Sequence, residues 1–131
     1  MPTQADSITK GENMNGLELS KKIAGYLDNK KAHDIRIIKI DDLTVVTDYI
    51  VIATGTSTTQ VKALADEADY MVDKELGIKP ARVEGYESKN WILIDYETVI
   101  VHVFHPQARE YYNLDKLWAD GTEIEFELGE E

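Results

Sequence analysis

The 131-residue chain is 43% hydrophobic and 30% charged, a composition typical of one soluble globular domain with a sizeable core. Its formal net charge of −11 argues against a direct nucleic-acid ligand, because phosphate backbones are bound by clustered Lys and Arg; the acidity suits a basic protein partner, or serves solubility alone. The chain has no cysteine for disulfides or thiolate metal sites, no apolar run near the ~20 residues of a membrane span, and no signal-peptide pattern in its polar start, so we expect a cytoplasmic protein.

The chain divides into three segments by composition. Residues 1–13 have almost no apolar content and are predicted to be disordered. A single α/β domain is predicted over residues 14–120. Residues 121–131 form an acidic tail, in which EIEFEL alternates like a strand while its charge disfavours a stable edge strand.

The first part of the domain predicts a helix and two strands. Leu19 and Ile23, with later apolar residues, recur at helical spacing within residues 15–31. DIRIIKID, residues 34–41, is rich in isoleucine at alternating positions, and YIVIATG, residues 49–55, is a continuous β-branched run. The second of these strands is therefore expected near the centre of a sheet.

A second helix is predicted to follow the glycine that ends this strand. Ser57 and Gln60 have the spacing of a capping box, in which each side chain accepts a hydrogen bond from the other's backbone region. Apolar residues then form one stripe along the helix as far as Leu76, and Gly77 offers a left-handed stop.

The last part of the domain predicts three strands and a closing helix. A short strand is expected around residues 82–84, and WILIDYETVIVHVFH, residues 91–105, is typical of two strands folded back on each other. After Pro106 a helical spacing indicates one short helix or two helical turns. The order α-β-β-α-β-β-β-α predicts an α/β fold whose mixed sheet is covered by helices on at least one face.

The predicted hairpin separates its side chains into two unlike faces. A two- or four-residue loop brings a polar and aromatic set together on what we call the mixed face: Trp91, Leu93, Asp95, Ile100, His102 and Phe104. The opposite face is aliphatic apart from Tyr96 and should be buried under the second helix. A three-residue loop would exchange the faces, and a Glu-Thr turn, which suits positive φ poorly, leaves that alternative open.

The mixed face has three interpretations. A helix covers it, with Asp95 and His102 hydrogen-bonded internally, or it is partly exposed to a partner, because aromatic side chains ringed by charge are typical of protein interfaces. Catalysis is the third interpretation and the weakest. His102 and His105 point to opposite sides of a strand, so they cannot share a metal ion there.

The turn ATGTSTTQ gives an enzymatic alternative. Gly55, Thr56 and Ser57 lie between a strand and a helix N-terminus, where amides and the helix dipole could hold a phosphate. The turn resembles the Gly-Ser element of nucleotidyltransferases, yet it lacks a P-loop lysine and a strand-borne pair of metal-binding carboxylates. We therefore expect no catalytic residue, cofactor or metal, and keep a nucleotide- or phosphate-binding enzyme as the alternative function.

Two stretches together, DYIVIATGTSTTQVKALAD and VEGYESKNWILIDYETVIVHVFHPQAREYYNLDKLW, resemble the Iojap-like ribosomal silencing factors. The likeness runs from about Met14 to Asp120. Its elements are specific only jointly: Asp48-Tyr49, Gly55-Thr56-Ser57, Glu84-Gly85, Trp91, Asp95, His102-Val103, Arg109, Tyr112, Leu114 and Leu117-Trp118.

The resemblance implies a nucleotidyltransferase-like fold without known catalytic activity. Members of that family bind a basic protein of the large ribosomal subunit, the one numbered fourteen, and block joining of the small subunit when nutrients are short. They form homodimers when free. On this basis the residues predicted to bind the partner are Glu84, Trp91, Asp95, His102, Phe104, Arg109, Tyr112 and Trp118.

Overall fold

Six strands form one mixed sheet in the computed structural model, which describes residues 14–128. In chain order the elements are α1 Gly16–Asn29, β1 His33–Lys39, β2 Tyr49–Thr54, α2 Thr58–Leu76, β3 Arg82–Glu84, β4 Trp91–Asp95, β5 Val99–Phe104, α3 Pro106–Tyr112, α4 Leu114–Leu117 and β6 Thr122–Ile124. This confirms the predicted mixed α/β architecture. Across the described range, no helix is both long enough and apolar enough to cross a membrane.

The strand order across the sheet is β3-β4-β5-β2-β1-β6. The central strands β2 and β5 run parallel, with Val51 opposite Val101, whereas every other neighbouring pair is antiparallel. All six residues of β5 are buried, because the strand has a neighbour on both sides and side chains packed on both faces. Isoleucine and valine make up much of both strands, a composition typical of that central position.

Local signals set the ends of the two long helices. The Asn15 side chain accepts a hydrogen bond from the Glu18 amide at 2.8 Å and caps α1. The Ser57 hydroxyl accepts from the Gln60 amide at 3.1 Å and caps α2, which ends at Gly77 with a φ of 70°. The Gln60 side chain reaches back as predicted, although it accepts from the amide of Thr56, the residue before the Ser57 cap.

Helices α1 and α2 bury the aliphatic face of the sheet. Leu19, Ile23 and Leu27 of α1 share a core with Val61 and Leu64 of α2. The sheet contributes residues from its central strands and from the aliphatic side of the hairpin: Ile37, Val51, Ala53, Ile92, Ile94, Tyr96, Val99, Val101 and Val103. Burial of this face under α2 confirms the predicted assignment of the two hairpin faces.

At the C-terminal end the structure selects two helical segments from the predicted alternatives and adds a strand. The final helical segment is two short helices, because Asn113 between them has a left-handed φ of 52° and caps α4 with its side chain. Residues 122–124, placed by the sequence in an acidic tail, form β6 and pair with β1. The sheet therefore extends past the boundary predicted at residue 120. The predicted disorder of residues 1–13 lies outside the described residues.

Candidate partner-binding surface

The hairpin pairs in the predicted register and so assembles the mixed face. Trp91 lies opposite Phe104, Leu93 opposite His102, and Asp95 opposite Ile100. Helices α3 and α4 cover part of this face and form a second apolar cluster with the central strands: Ile38, Ile40, Ile50, Ile52, Ile100, Phe104 and Leu114. Trp91, Leu93 and Trp118 pack against this cluster and are partly buried. The centre of the mixed face is therefore buried, and its margin is accessible to solvent.

Trp91 lies at the boundary between the covered and the open part. Its ring stacks on Phe104 with 5.0 Å between centroids and contacts Tyr112 of α3 at 4.5 Å. The indole Nε1–H donates to His102 Nδ1 at 3.0 Å, which fixes the ring orientation. One side of the indole thus rests on the core, and the other side meets the half-exposed Tyr112.

His102 and Phe104, two of the predicted partner-binding residues, lie beneath this surface. Phe104 has no exposed area and His102 is only 7% exposed. Burial lowers the pKa of His102 to about 4, so the imidazole is neutral at physiological pH. Because α3 and Trp91 lie above them, these two residues support the surface from below and do not reach a partner in this conformation.

Arg109, also predicted to bind the partner, is engaged inside the protein. Its guanidinium donates to both carboxylate oxygens of Asp115, at 3.1 and 2.9 Å, and to the Thr54 hydroxyl at 2.9 Å. Arg36 of β1 pairs with the same Asp115 at 2.7 Å and with Glu123 of β6. The Arg109 and Arg36 hydrogen bonds hold the pKa of Asp115 at about 2. This network joins α3, α4 and three strands, so Arg109 acts as a structural brace.

Glu84 and Asp95 form a charged margin along the open side. Glu84 of the edge strand β3 is exposed and pairs with Arg82 at 3.2 Å, and Arg82 also lies 3.6 Å from Asp95. Asp95 has a second task, since its carboxylate accepts a 2.7 Å hydrogen bond from the Glu97 amide in the hairpin turn. Of these two predicted residues, Glu84 is the more available to a partner.

Tyr111 belongs to the same surface and was not predicted. It is 81% exposed and stacks edge-on against Tyr112, with 5.0 Å between the ring centroids. Together with Trp91, the two tyrosines line a depression of about 520 Å³ that also contains Asn90 and His105. The adjacent tyrosines in REYYN were the available signal, but sequence periodicity alone does not say which of them faces solvent. We call Trp91, Tyr111 and Tyr112 the aromatic surface.

In the turn at residues 55–57, which suggested a phosphate site, backbone amides form hydrogen bonds within the protein. The Gly55 amide donates to the Phe104 carbonyl at 2.9 Å, the Thr56 amide to Gln60 and the Gln60 amide to Ser57. A nearby pocket of about 530 Å³ contains Arg36 and Arg109, both of which are paired with acids. Among residues 14–128, no group of three or more His, Asp or Glu side chains is arranged to hold a metal ion. The amides of Gly55, Thr56 and Gln60 and both arginines are thus already engaged within the fold.

Comparison with known proteins gives a consistent result. The family model described as ribosomal silencing factor during starvation, RsfS, matches residues 13–131. A ribosomal silencing factor RsfS of Halalkalibacterium halodurans is 40% identical over 114 residues, covering 87% of this chain and 97% of the relative. The chloroplastic protein Iojap of Zea mays is 30% identical over 111 residues, or 83% of this chain and 47% of the relative.

A solved structure resembles this chain in fold as well as in sequence. The crystal structure of a Chromobacterium violaceum protein superposes with a TM-score of 0.78 at 37% identity, covering 88% of this chain and 95% of the other. The family model spans the whole described domain, including the hairpin, α3 and β6. The chain therefore belongs to the RsfS family of Iojap-like ribosomal silencing factors.

Proposed function

We propose that this protein binds the large ribosomal subunit and represses translation by blocking association with the small subunit. Family membership supports the ribosomal role, since the relatives are named ribosomal silencing factors. The structural observation that carries the proposal is the aromatic surface: Tyr112 is 51% exposed and packs on Trp91 at the margin of a buried core. Tyr and Trp held rigidly in this way are the residues that most often dominate the energy of a protein interface.

The proposed partner is the basic large-subunit protein numbered fourteen, which the resemblance implies. A net charge of −11 supports a basic protein surface as the direct contact, because the same charge would repel the phosphates of RNA. Acidic Glu84 beside the aromatic surface adds charge complementarity at the rim of the contact. Bound there, the protein would act in the cytoplasm by steric occlusion, without catalysis, and would form a homodimer when free.

Replacing Trp91 or Tyr112 with alanine should weaken binding to purified large subunits. Truncation of an aromatic anchor costs about 2–4 kcal/mol, or roughly a 30- to 1,000-fold loss in affinity. Co-sedimentation measures this loss, and light scattering on addition of small subunits measures subunit joining. Wild-type protein should suppress joining, whereas the two variants should suppress it only at much higher concentration.

Two controls separate binding from stability. Tyr70 on α2 is 58% exposed, similar to Tyr112, so Tyr70→Ala removes a matched ring away from the mixed face. Urea unfolding of each variant shows how much stability is lost, because half-buried Trp91 also contributes to the fold. If the variants at Trp91 and Tyr112 unfold at lower urea concentration yet bind large subunits like the wild type at low temperature, the docking surface lies elsewhere.

A further inference from the structure

The loop between β1 and β2, residues 40–48, displays three apolar side chains to solvent. Val45 is fully exposed, Val46 is 69% exposed and Leu43 is 45% exposed. A single exposed aliphatic residue is ordinary, but three within four positions form a contiguous apolar tip of the kind that marks interaction sites. None of the three side chains belongs to either apolar cluster of the fold.

Hydrogen bonds hold this loop in one shape. The amides of Leu43 and Thr44 donate to the Ile40 carbonyl at 2.8 and 3.2 Å, and the Ile40 amide donates to the Asp48 carbonyl at 2.8 Å. The Val46 amide donates to the Thr44 hydroxyl at 3.1 Å. A loop that is already ordered loses little entropy on binding, so its exposed valines are suited to act as an anchor.

The loop also touches the hairpin that carries the mixed face. Thr47 donates its hydroxyl hydrogen to the Glu97 carbonyl at 2.7 Å, and the Asp48 amide donates to Thr98 at 3.2 Å. From Glu97, where the loop touches the hairpin, Trp91 is six residues away, or roughly 20 Å along the strand. An interface of ordinary size, about 800 Å² per partner, is roughly 30 Å across, so one partner can cover both the loop and the aromatic surface.

The charges around the tip indicate what binds it. Asp41, Asp42 and Asp48 flank the apolar residues and are all exposed, while the nearby Lys39 lies 3.8 Å from Asp41. A two-fold symmetric contact between two such loops would bring the exposed Asp41, Asp42 and Asp48 of both copies close together, which like-charge repulsion disfavours. We propose that the β1–β2 loop is a second anchor for the ribosomal partner and inserts its valines into an apolar depression within a basic protein surface. This inference rests on the proposed function.

Substitutions in the loop test the anchor directly. The double variant Val45→Ser, Val46→Ser should raise the Kd for purified large subunits at least tenfold, mainly through faster dissociation. Its melting temperature should stay within about 2 °C of the wild type, because both side chains are exposed. The variant Asp41→Asn, Asp42→Asn should instead slow association a few-fold at low salt, with the difference disappearing at high salt.

Four reference proteins make the outcome decisive. Tyr70→Ser is the matched control for loss of exposed apolar surface, and Val45→Ser alone serves if the double variant affects folding. A normal Kd for the loop variants beside weakened Trp91→Ala would overturn the loop anchor and leave the proposed function intact. Wild-type protein that does not bind large subunits would overturn both. Loss of self-association alone in the loop variants would assign the loop to a second copy and overturn the inference.

Discussion

Gly85 lies where the chain turns from β3 toward β4, and its surroundings leave no room for a side chain. Its φ is 97°, and a Cβ built there would lie 2.0 Å from the carbonyl oxygen of Trp91. Gly77 also has a left-handed φ of 70°, yet nothing lies within 4 Å of the position its Cβ would take. Both glycines therefore need a positive φ, but only Gly77 has room for a side chain.

Gly85→Ala should destabilise the protein clearly more than Gly77→Ala. The left-handed conformation costs an alanine about 1–2 kcal/mol at both positions, and only Gly85→Ala must also move the backbone that begins β4. Urea unfolding of both variants gives the difference, and tryptophan fluorescence reports on Trp91. Equal losses of stability would show that the close approach to the Trp91 carbonyl is relieved without strain.

His102 should make stability fall as the pH is lowered from about 6.5 to 4. Burial lowers its pKa to about 4 in the folded protein, whereas the unfolded imidazole titrates near 6.5, so within this window the unfolded chain binds the extra proton. The effect amounts to roughly 3 kcal/mol, complete below pH 4. Urea unfolding at a series of pH values measures it.

The variant His102→Gln is the control for this pH dependence. A glutamine side chain is polar and of similar length but does not titrate, so the loss of stability between pH 6.5 and 4 should shrink. Asp115 acts only at lower pH: its carboxylate is protonated below about 3.8 in the unfolded chain, whereas Arg109 and Arg36 hold its pKa at about 2 in the folded protein, so its contribution to stability is lost between these two values. An unchanged profile in His102→Gln would refute the assignment.

At the scale of elements, the hairpin was predictable in its strands and not in its turn. Period-two alternation fixes which side chains of one strand share a face, and the pairing of Trp91 with Phe104 is the one predicted for a two- or four-residue loop. Glu97 adopts a φ of 74° that its residue type disfavours. The turn is held by Asp95 and by Thr47, which comes from a loop about fifty residues earlier, and local sequence patterns do not contain such a contact.

Val101→Asp should unfold the domain. Val101 is fully buried on the aliphatic face of β5, so the variant places an unpaired carboxylate in the core at a cost of several kcal/mol, against a typical total stability of ~5–15 kcal/mol. Circular dichroism would show the loss of structure. Val45→Asp makes the same chemical change at a fully exposed position and should stay within about 0.5 kcal/mol of the wild type. A folded Val101→Asp protein would contradict the packing of α2 on this face.

At the scale of the whole molecule, the sequence predicted which layers exist but not how completely they cover each other. The helix stripe of α2 and the aliphatic hairpin face identified one core. The second cluster depends on where α3 and α4 lie on the sheet, and short helices without a strong stripe carry little information about position. For this reason the sequence left open whether His102 and Phe104 are covered, and the structure shows both buried.

The parallel pairing of β2 with β5 also determines when this protein can fold. β5 occupies the middle of the sheet, yet it is among the last strands to be synthesised, and Tyr49 pairs with Val99, about 50 residues away in the chain. Closing so long a loop is entropically unfavourable until β5 is present. A nascent chain lacking β5 would expose the apolar edge of β2, so productive folding must wait until nearly the whole domain has left the ribosome that makes it.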